Sequence, residues 1–206
     1  ARFPALCDRG KERAFHGSLF PRRKKYTISS TTPAGGVKSE AEFKSREKAA
    51  SLPSFTEFGQ KAFGILQGNP VGKIIFDMRN NGGGNSAQGT AFIERLARFL
   101  EQHPGIKTYV VIGRSTFSSA ILNTMDFKHL TDAVVVGEQT AGKPNHFGEV
   151  RNFQLPGSKL TVAYSTKYFR RTDEEADTIT PDVRIEMSFT DFTKGIDPVY
   201  EWIKAQ

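Results

Sequence analysis

Three short apolar runs alternate with amphipathic segments through the middle of this 206-residue chain. The runs are KIIFDM from Lys73, TYVVIG from Thr108 and AVVVGE from Ala133, and each suits a strand that is buried on both faces. The segments between them, about Ser86 to Gln102 and Ser118 to Leu130, have helical length and apolar spacing. This alternation predicts an α/β fold with right-handed βαβ crossovers and a mainly parallel sheet.

Three further elements have recognisable signals around this core. A capping box at Ser54 opens an amphipathic helix, which ends before Pro70. The stretches VRNFQLP and KLTVAYSTKYF flank Gly157 and predict a C-terminal β-hairpin. Pro198, just after an aspartate, predicts the start of a terminal helix.

The basic charge of the chain is confined to its first quarter. The formal net charge is +7, and residues 1–49 carry all of it. Residues 1–52 also lack a sustained period of 2 or 3.6, so we predict a basic, weakly ordered arm at 1–52 and a folded domain at 53–206. The short run RRKK has neither interleaved aromatics nor a known motif around it, which argues against a nucleic-acid partner.

Composition restricts the remaining possibilities. The chain is 37% hydrophobic and 25% charged, which is ordinary for one globular domain. It has no run of 18 apolar residues, so no membrane span is expected. The single cysteine, Cys7, excludes an internal disulfide framework and a cysteine-based metal site, and we expect no metal and no cofactor. Nothing in the composition indicates the oligomeric state.

Chemically rich loops follow each of the three predicted strands. In open α/β sheets, ligands bind beyond the carboxyl ends of the strands. The first loop, DMRNNGGGNS, has three consecutive glycines whose N–H groups could approach a ligand closely. The second, GRSTFSSA, brings Ser118 to a helix start, and the third, GEQTAGKPNHFGE, contains Lys143 and His146.

Ser118 has what acyl transfer needs from a nucleophile. Its hydroxyl would face the crevice, the amide of Ser119 lies at a positive helix end, and the glycine loop offers a second N–H for an oxyanion. Spacing alone also fits a serine that only caps its helix, and a glycine run that only makes a tight turn. A base could come from Lys143, if its pKa is lowered, or from His146.

The third loop also resembles a phosphate-binding loop. Gly137 to Lys143 reads G-x-x-x-x-G-K after an apolar strand. Pro144 stands where such a loop needs a serine or threonine to ligate magnesium. We therefore do not expect nucleotide binding.

Taken together, these loops resemble a known family. FDMRNNGGGNS resembles the DLRNNxGG signature of S41-type serine peptidases, STFSSA their nucleophile turn, and VVVGEQTAGKPN their VxGExTxGK stretch. LPGSKLTVAYS and the later TPD resemble the hairpin and the proline-aspartate step that close the domain. Order and spacing agree over about Ser54 to Arg184.

The resemblance implies a crotonase/ClpP-like core and a tail-specific, or C-terminal-processing, serine endopeptidase. By position, Ser118 matches the nucleophile and Lys143 the general base, while Gly82, Gly83 and the Ser119 amide match the oxyanion hole. The implied reaction is peptide-bond hydrolysis through an acyl-enzyme, on peptides or unfolded proteins. The family also suggests a secreted or periplasmic location in a bacterium.

Two departures from the family pattern leave alternatives open. The lysine branch orients its lysine with a glutamine four residues later, and that position is Phe147 here. The histidine branch uses a glutamate that Glu175 fits, but no histidine suited to that role precedes Asp77. We therefore keep His146, Glu149 and Glu175 as alternative base or orienting groups.

Two other functions remain possible from the sequence. The first is a catalytically inactive peptide-binding domain, which keeps the crevice without a working base. The second is a crotonase-like acyl-thioester enzyme, since that fold also uses glycine-loop amides as an oxyanion hole. The serine-bearing turn argues against the second.

The basic arm has one unusual explanation. Family members of this subtype have a strand resembling YFQYN shortly before the first amphipathic helix. When Lys24 to Gly35 is back-translated and read in another frame, codon degeneracy permits KIYYFQYNTCR. We therefore hypothesise that the arm is a frameshifted translation that returns to frame before Ser54, which the nucleotide sequence would test.

Overall fold

The computed structural model describes residues 54–206 and two earlier strands, His16–Leu19 and Lys24–Ser29. The predicted weak order and the frameshift hypothesis concern residues that otherwise lie outside the described part of the chain. The elements in chain order are β1 (His16–Leu19), β2 (Lys24–Ser29), α1 (Phe55–Gly68), β3 (Val71–Asp77), α2 (Ser86–Glu101), β4 (Lys107–Ile112), α3 (Ser119–Leu130), β5 (Val134–Gly137), β6 (His146–Gln154), β7 (Thr161–Phe169), β8 (Val183–Arg184), α4 (Phe189–Lys194) and α5 (Pro198–Ala205).

The centre of the molecule is a six-stranded sheet in the order β1-β2-β3-β4-β5-β8. Strands β2, β3, β4, β5 and β8 run parallel to their neighbours, and only β1 is antiparallel to β2. Helices α2 and α3 connect β3 to β4 and β4 to β5, so the predicted βαβ crossovers and mainly parallel α/β sheet are confirmed. Strands β1 and β2 lie in the region where the sequence showed no period.

Side chains alternate between the two faces of this sheet. On one face, Ile74, Phe76, Val110, Ile112 and Val135 pack in a core cluster with residues from α1, α2 and α3. On the other face, Ile75, Tyr109, Val111 and Val136 pack with Val199 and Ile203 of α5. Burial on both faces explains why the three strands read as continuous apolar runs.

The helix boundaries follow their sequence signals. The Ser54 hydroxyl accepts a hydrogen bond from the Glu57 amide at 3.0 Å, which is the predicted cap of α1. Asp197 caps α5 in the same way through the Tyr200 amide, at 3.1 Å. Helix α3 differs, because nearly all of its residues from Ser119 to Phe127 are buried.

The predicted hairpin is a separate two-stranded sheet made of β6 and β7. It begins earlier than expected, at His146, so it starts directly behind the third loop. Most of its side chains are exposed, including Phe147, Phe153 and Tyr164. The hairpin therefore adds little to either core cluster.

Candidate active site

Three loops meet at the carboxyl ends of β3, β4 and β5. We call them the glycine loop (residues 78–85), the serine turn (113–118) and the lysine loop (138–145). Parallel strands bring their carboxyl ends to one edge of the sheet, so the loops become neighbours although they are far apart in sequence. Direct hydrogen bonds join the first two.

Asn81 holds the glycine loop against the serine turn. Its carbonyl oxygen accepts a hydrogen bond from the Phe117 amide at 3.0 Å. Its side-chain Oδ1 accepts one from the Gly83 amide, also at 3.0 Å. Asn81 is only 2% exposed, so these bonds are shielded from water. The residue just before Ser118 is thereby fixed to the loop that faces it.

Thr116 provides a second connection between the same two loops. Its fully buried hydroxyl donates to the Met78 carbonyl oxygen at 2.8 Å and accepts from the Gly113 amide at 3.0 Å. The serine turn is therefore tied to the glycine loop at two consecutive residues, Thr116 and Phe117. Such bonds can hold a strained residue in place.

Ser118 has a backbone conformation that side chains rarely adopt, with φ 52° and ψ −122°. It occupies the N-cap position of α3, yet its side chain makes no capping hydrogen bond. The helix-cap interpretation, which the spacing allowed, therefore does not explain this serine. A sharp turn from strand to helix that exposes a serine hydroxyl resembles the geometry of nucleophilic serines in α/β-hydrolases.

Gly83 lies directly against Ser118. A Cβ added to Gly83 would lie 2.7 Å from the Ser118 Cβ and 3.1 Å from the Ser119 nitrogen, and its φ is +109°. Only glycine fits this space and this conformation. The structure therefore brings together Gly83, Ser118 and Ser119, three of the residues predicted from the sequence.

The two predicted oxyanion donors differ in availability. The Gly83 N–H is engaged by Asn81 Oδ1, whereas the Ser119 N–H has no hydrogen-bond acceptor within residues 54–206. The Ser119 hydroxyl donates to the Gly84 carbonyl oxygen, which fixes the start of α3 to the glycine loop. Gly82 is exposed, and a Cβ there would meet nothing within 4 Å.

Lys143 is held by a partner that the sequence did not reveal. Its Nζ lies 2.5 Å from Oδ1 of Asp177, and both side chains are largely exposed. The hydrogen bond and the charge of Asp177 raise the pKa of Lys143, and Glu175 adds to this effect. In this arrangement the lysine is a protonated cation, which is the opposite of what a general base requires.

The other candidate base and orienting groups lie on the same side of the site. His146 Nδ1 is 3.0 Å from the Lys143 carbonyl oxygen. Because a carbonyl oxygen only accepts, Nδ1 carries a hydrogen, and in the neutral ring the lone pair is therefore on Nε2. Glu149 is 3.6 Å from Lys167 Nζ on β7, and Glu175 is exposed. Within residues 54–206, none of these groups hydrogen-bonds Ser118.

The structure also identifies supporting residues that the sequence analysis missed. Arg79 Nη2 bridges Asp77 at 2.6 Å and Asp197 at 2.7 Å, and so connects the glycine loop to the start of α5. Asn145, 7% exposed, accepts hydrogen bonds from the amides of Arg171 and Thr172. The asparagines and the arginine lie within the motifs, but the sequence does not indicate their partners.

The described part of the chain lacks both a cluster of metal ligands and a membrane-spanning helix. Residues 54–206 contain no group of three or more histidine, cysteine, aspartate or glutamate side chains that could hold a metal ion. In the same residues, every helix is too short or too polar to cross a membrane.

Solved structures resemble the chain over most of its length. A protein from Parabacteroides merdae assigned as a peptidase superposes with a TM-score of 0.63, at 16% identity over 95% of this chain and 65% of that chain. Mature CPAF in complex with lactacystin also reaches 0.63, at 14% identity over 98% of this chain and 55% of that chain. The chain shares the α/β fold of these two structures.

A third structure is less similar. A Bacteroides fragilis protein assigned as an S41 protease has a TM-score of 0.49, at 14% identity over 84% of this chain and 50% of that chain. The chain spans between half and two thirds of the length of these three structures. No family model and no curated protein sequence matches it.

Proposed function

We propose that this chain is the catalytic domain of a serine-type endopeptidase that hydrolyses peptide bonds through an acyl-enzyme on Ser118. The observation that carries the proposal is the backbone of Ser118 at φ 52°, with a side chain that caps nothing and a glycine packed against it. The resemblance of the loops to S41 motifs and the fold shared with a structure assigned as a peptidase support the same function. The substrates would be peptides or unfolded proteins.

The proposed reaction begins with attack of Ser118 Oγ on the scissile carbonyl carbon. The hydroxyl proton passes to the base, and the negative charge on the carbonyl oxygen is stabilised by backbone N–H donors. The base then gives the proton to the leaving amine as the C–N bond breaks, which leaves an ester on Ser118. Water, activated by the same base, hydrolyses this ester and frees the enzyme.

The Ser119 amide is the donor best prepared for the oxyanion. It lies at the start of α3, where the helix dipole favours negative charge. The Gly83 amide is the second donor in this proposal, and it must exchange Asn81 Oδ1 for the substrate oxygen. Hydrogen bonds of this kind often reach their final geometry only with substrate bound.

Lys143 is the base that the motif favours, and His146 is the alternative. The ion pair with Asp177 has to open before Lys143 can accept a proton. The neutral ring of His146, with its hydrogen on Nδ1, has a lone pair on Nε2 that can accept a proton. The two assignments differ in an experiment, since Lys143→Ala and His146→Ala can each be tested for peptide hydrolysis.

A fluorophosphonate probe tests the proposed nucleophile directly. The wild-type protein should be labelled at Ser118, as identified by mass spectrometry, and Ser118→Ala should not be labelled. Ser115→Ala is a matched control, because Ser115 is an exposed serine in the same turn. Equal labelling of Ser118→Ala and the wild type would show that the nucleophile is elsewhere.

A second candidate function is a peptide-binding domain without catalysis. The Lys143–Asp177 ion pair favours it, because it keeps the candidate base protonated. Phe147, 70% exposed, also stands where the lysine-branch signature has an orienting glutamine. Saturable binding of an unstructured peptide, without probe labelling or product formation, would support this second function over the first.

A further inference from the structure

A buried polar cluster lies on α3, away from the reacting groups. Asp126 is 5% exposed, and its Oδ2 accepts hydrogen bonds from the Thr90 hydroxyl at 2.6 Å and from Asn123 Nδ2 at 3.1 Å. Thr90 belongs to α2, whose Gly89 is packed so tightly that a Cβ there would overlap the Asn123 side chain. A buried carboxylate of this kind needs a charged partner to remain ionised at low cost.

Arg171 is the charged partner of Asp126. Its Nη1 lies 3.2 Å from Asp126 Oδ1, and 30% of its side chain is exposed. Arg171 follows β7 by two residues, so this ion pair attaches the open end of the hairpin, where His146 pairs with Phe169, to the helix that begins after Ser118. No reacting atom is involved in the contact.

Asn145 extends this connection into the lysine loop. Its Oδ1 accepts from the Arg171 amide at 2.7 Å and from the Thr172 amide at 3.1 Å, and its Nδ2 donates to the Thr172 carbonyl oxygen at 2.9 Å. Asn145 lies between Lys143 and His146, the two candidate bases. The path from Asp126 through Arg171 to Asn145 therefore joins the nucleophile helix to the base-bearing loop.

The hairpin depends on this path for its position. Strands β6 and β7 pair with each other and not with the main sheet, and their side chains are mostly exposed. An isolated two-stranded hairpin is marginally stable in water, so it needs contacts with the rest of the molecule to keep one orientation. The Asp126–Arg171 ion pair and the Asn145 hydrogen bonds provide such contacts at its open end.

We propose that Asp126 and Arg171 are positioning residues, which set the distance of the lysine loop from Ser118 through the contact of Arg171 with α3. This role rests on the proposed peptidase function. Without the ion pair, the nucleophile and its oxyanion donors keep their local bonds, but the base loop and the hairpin are free to shift. Misplacement of about 1 Å at a site of this kind can cost about 100-fold in rate.

The test compares Arg171→Met with Lys128→Met. Lys128 forms another ion pair on the same helix, with Asp182 at 2.8 Å, but this pair does not reach the lysine loop. With an unstructured peptide as substrate, Arg171→Met should lower kcat by about 100-fold, while KM changes much less. Lys128→Met should leave both values close to those of the wild type.

Hydrogen exchange supplies a readout that does not depend on activity. The amides of residues 143–154 should exchange faster in Arg171→Met, and those of the glycine loop should not. In Lys128→Met, both regions should exchange as in the wild type. If the fluorophosphonate probe does not label Ser118 in the wild type, the proposed function fails. The exchange data still test whether the Asp126–Arg171 ion pair fixes the position of the lysine loop and the hairpin.

Two results would overturn the positioning role. One is a folded Arg171→Met protein with wild-type kcat, and the other is unchanged exchange over residues 143–154. Should Arg171→Met fail to fold, Arg171→Lys takes its place, because it keeps a cation while losing the guanidinium geometry. We expect kcat of Arg171→Lys to fall as well, but by less than in Arg171→Met. A wild-type kcat in Arg171→Lys would contradict the role of the guanidinium.

Discussion

Ser118 combines a rare backbone conformation with a side chain that does not cap the helix it precedes. A non-glycine residue at φ 52° carries a conformational strain of about 1–3 kcal/mol, which persists only where the surroundings enforce it. Here the bonds of Asn81 and Thr116 enforce it. Such strain is common at catalytic positions, which is why the backbone of this residue supports the proposed nucleophile more strongly than its identity does.

Gly83→Ala should damage the site through space alone. The new Cβ would lie 2.7 Å from the Ser118 Cβ, and the backbone at φ +109° is strained for alanine by about 1–3 kcal/mol. We expect a lower melting temperature and loss of fluorophosphonate labelling. Gly82→Ala is the matched control for stability, because a Cβ there meets nothing within 4 Å. Equal melting temperatures of the two variants would contradict this close packing.

Asp177→Asn should shift the pH dependence of labelling. Asp177 raises the pKa of Lys143 through a hydrogen bond and through its charge. Removing the charge lowers that pKa, so at any pH below it a larger fraction of the lysine is neutral. If Lys143 is the base, the alkaline rise in labelling rate moves to lower pH.

Asp173→Asn is the control for this pH experiment. Asp173 is an exposed carboxylate of the same segment, and it pairs with Arg170 rather than with the lysine. Its removal should leave the pH profile in place. An unchanged profile in Asp177→Asn as well would contradict Lys143 as the base and would favour His146.

At the residue level, the sequence could predict which groups lie close together where a motif fixes both identity and spacing. The glycine loop and Ser118 belong to this class, since glycine runs and a serine at a helix start have local physical meaning. Asp177 could not be found in this way, because the whole hairpin separates it from Lys143 in sequence. Only the folded chain brings the two charges together.

Arg79 connects two elements that are distant in the chain. Burial of its guanidinium disfavours the charged form, but hydrogen bonds and charge from Asp77 and Asp197 outweigh this and raise the pKa of Arg79. Arg79 is therefore a permanent cation between the glycine loop and α5. Its bonds to Asp77 and Asp197 fix the glycine loop, which faces Ser118, to the end of β3 and to the start of α5.

Arg79→Met should leave two carboxylates without their cation. Because Arg79 and its two carboxylates are partly exposed, we expect the free energy of unfolding to fall by about 1–3 kcal/mol, less than when a fully buried ion pair is broken. Arg184→Met removes an exposed ion pair with Glu186 and should cost much less, because water and salt screen such pairs. Urea unfolding of both variants measures the difference, and equal losses would show that the Arg79 bridge adds no stability.

Elements differed in how far the sequence revealed them. Helices α1 and α2 are long enough for their apolar spacing to be read, and the central strands are apolar throughout. Strand β8 has two residues and α4 has six, which is too short for a period to appear. Strands β1 and β2 have four and six residues, too few for a sustained period, so their pairing at the sheet edge was not predicted.

At the scale of the whole molecule, different helices cover the two faces of the sheet. Helices α1, α2 and α3 cover one face, and α3 begins directly after the candidate nucleophile. Helix α5 covers part of the other face through Val199 and Ile203. The site at the strand ends is therefore supported from both sides, but only α3 carries one of its proposed reacting groups.

Ile203→Ala should reduce stability without changing the chemistry of the site. Ile203 is completely buried against the sheet, and removing its side chain should cost about 2–5 kcal/mol of unfolding free energy. Ile196→Ala, at a position that is 41% exposed, should cost much less in the same urea titration.

Well below its melting temperature, the folded Ile203→Ala protein should label at the wild-type rate, because the bonds of Asn81 and Thr116 that hold Ser118 lie within the site loops. A labelling rate that falls in proportion to stability would mean instead that the conformation of Ser118 depends on packing across the sheet.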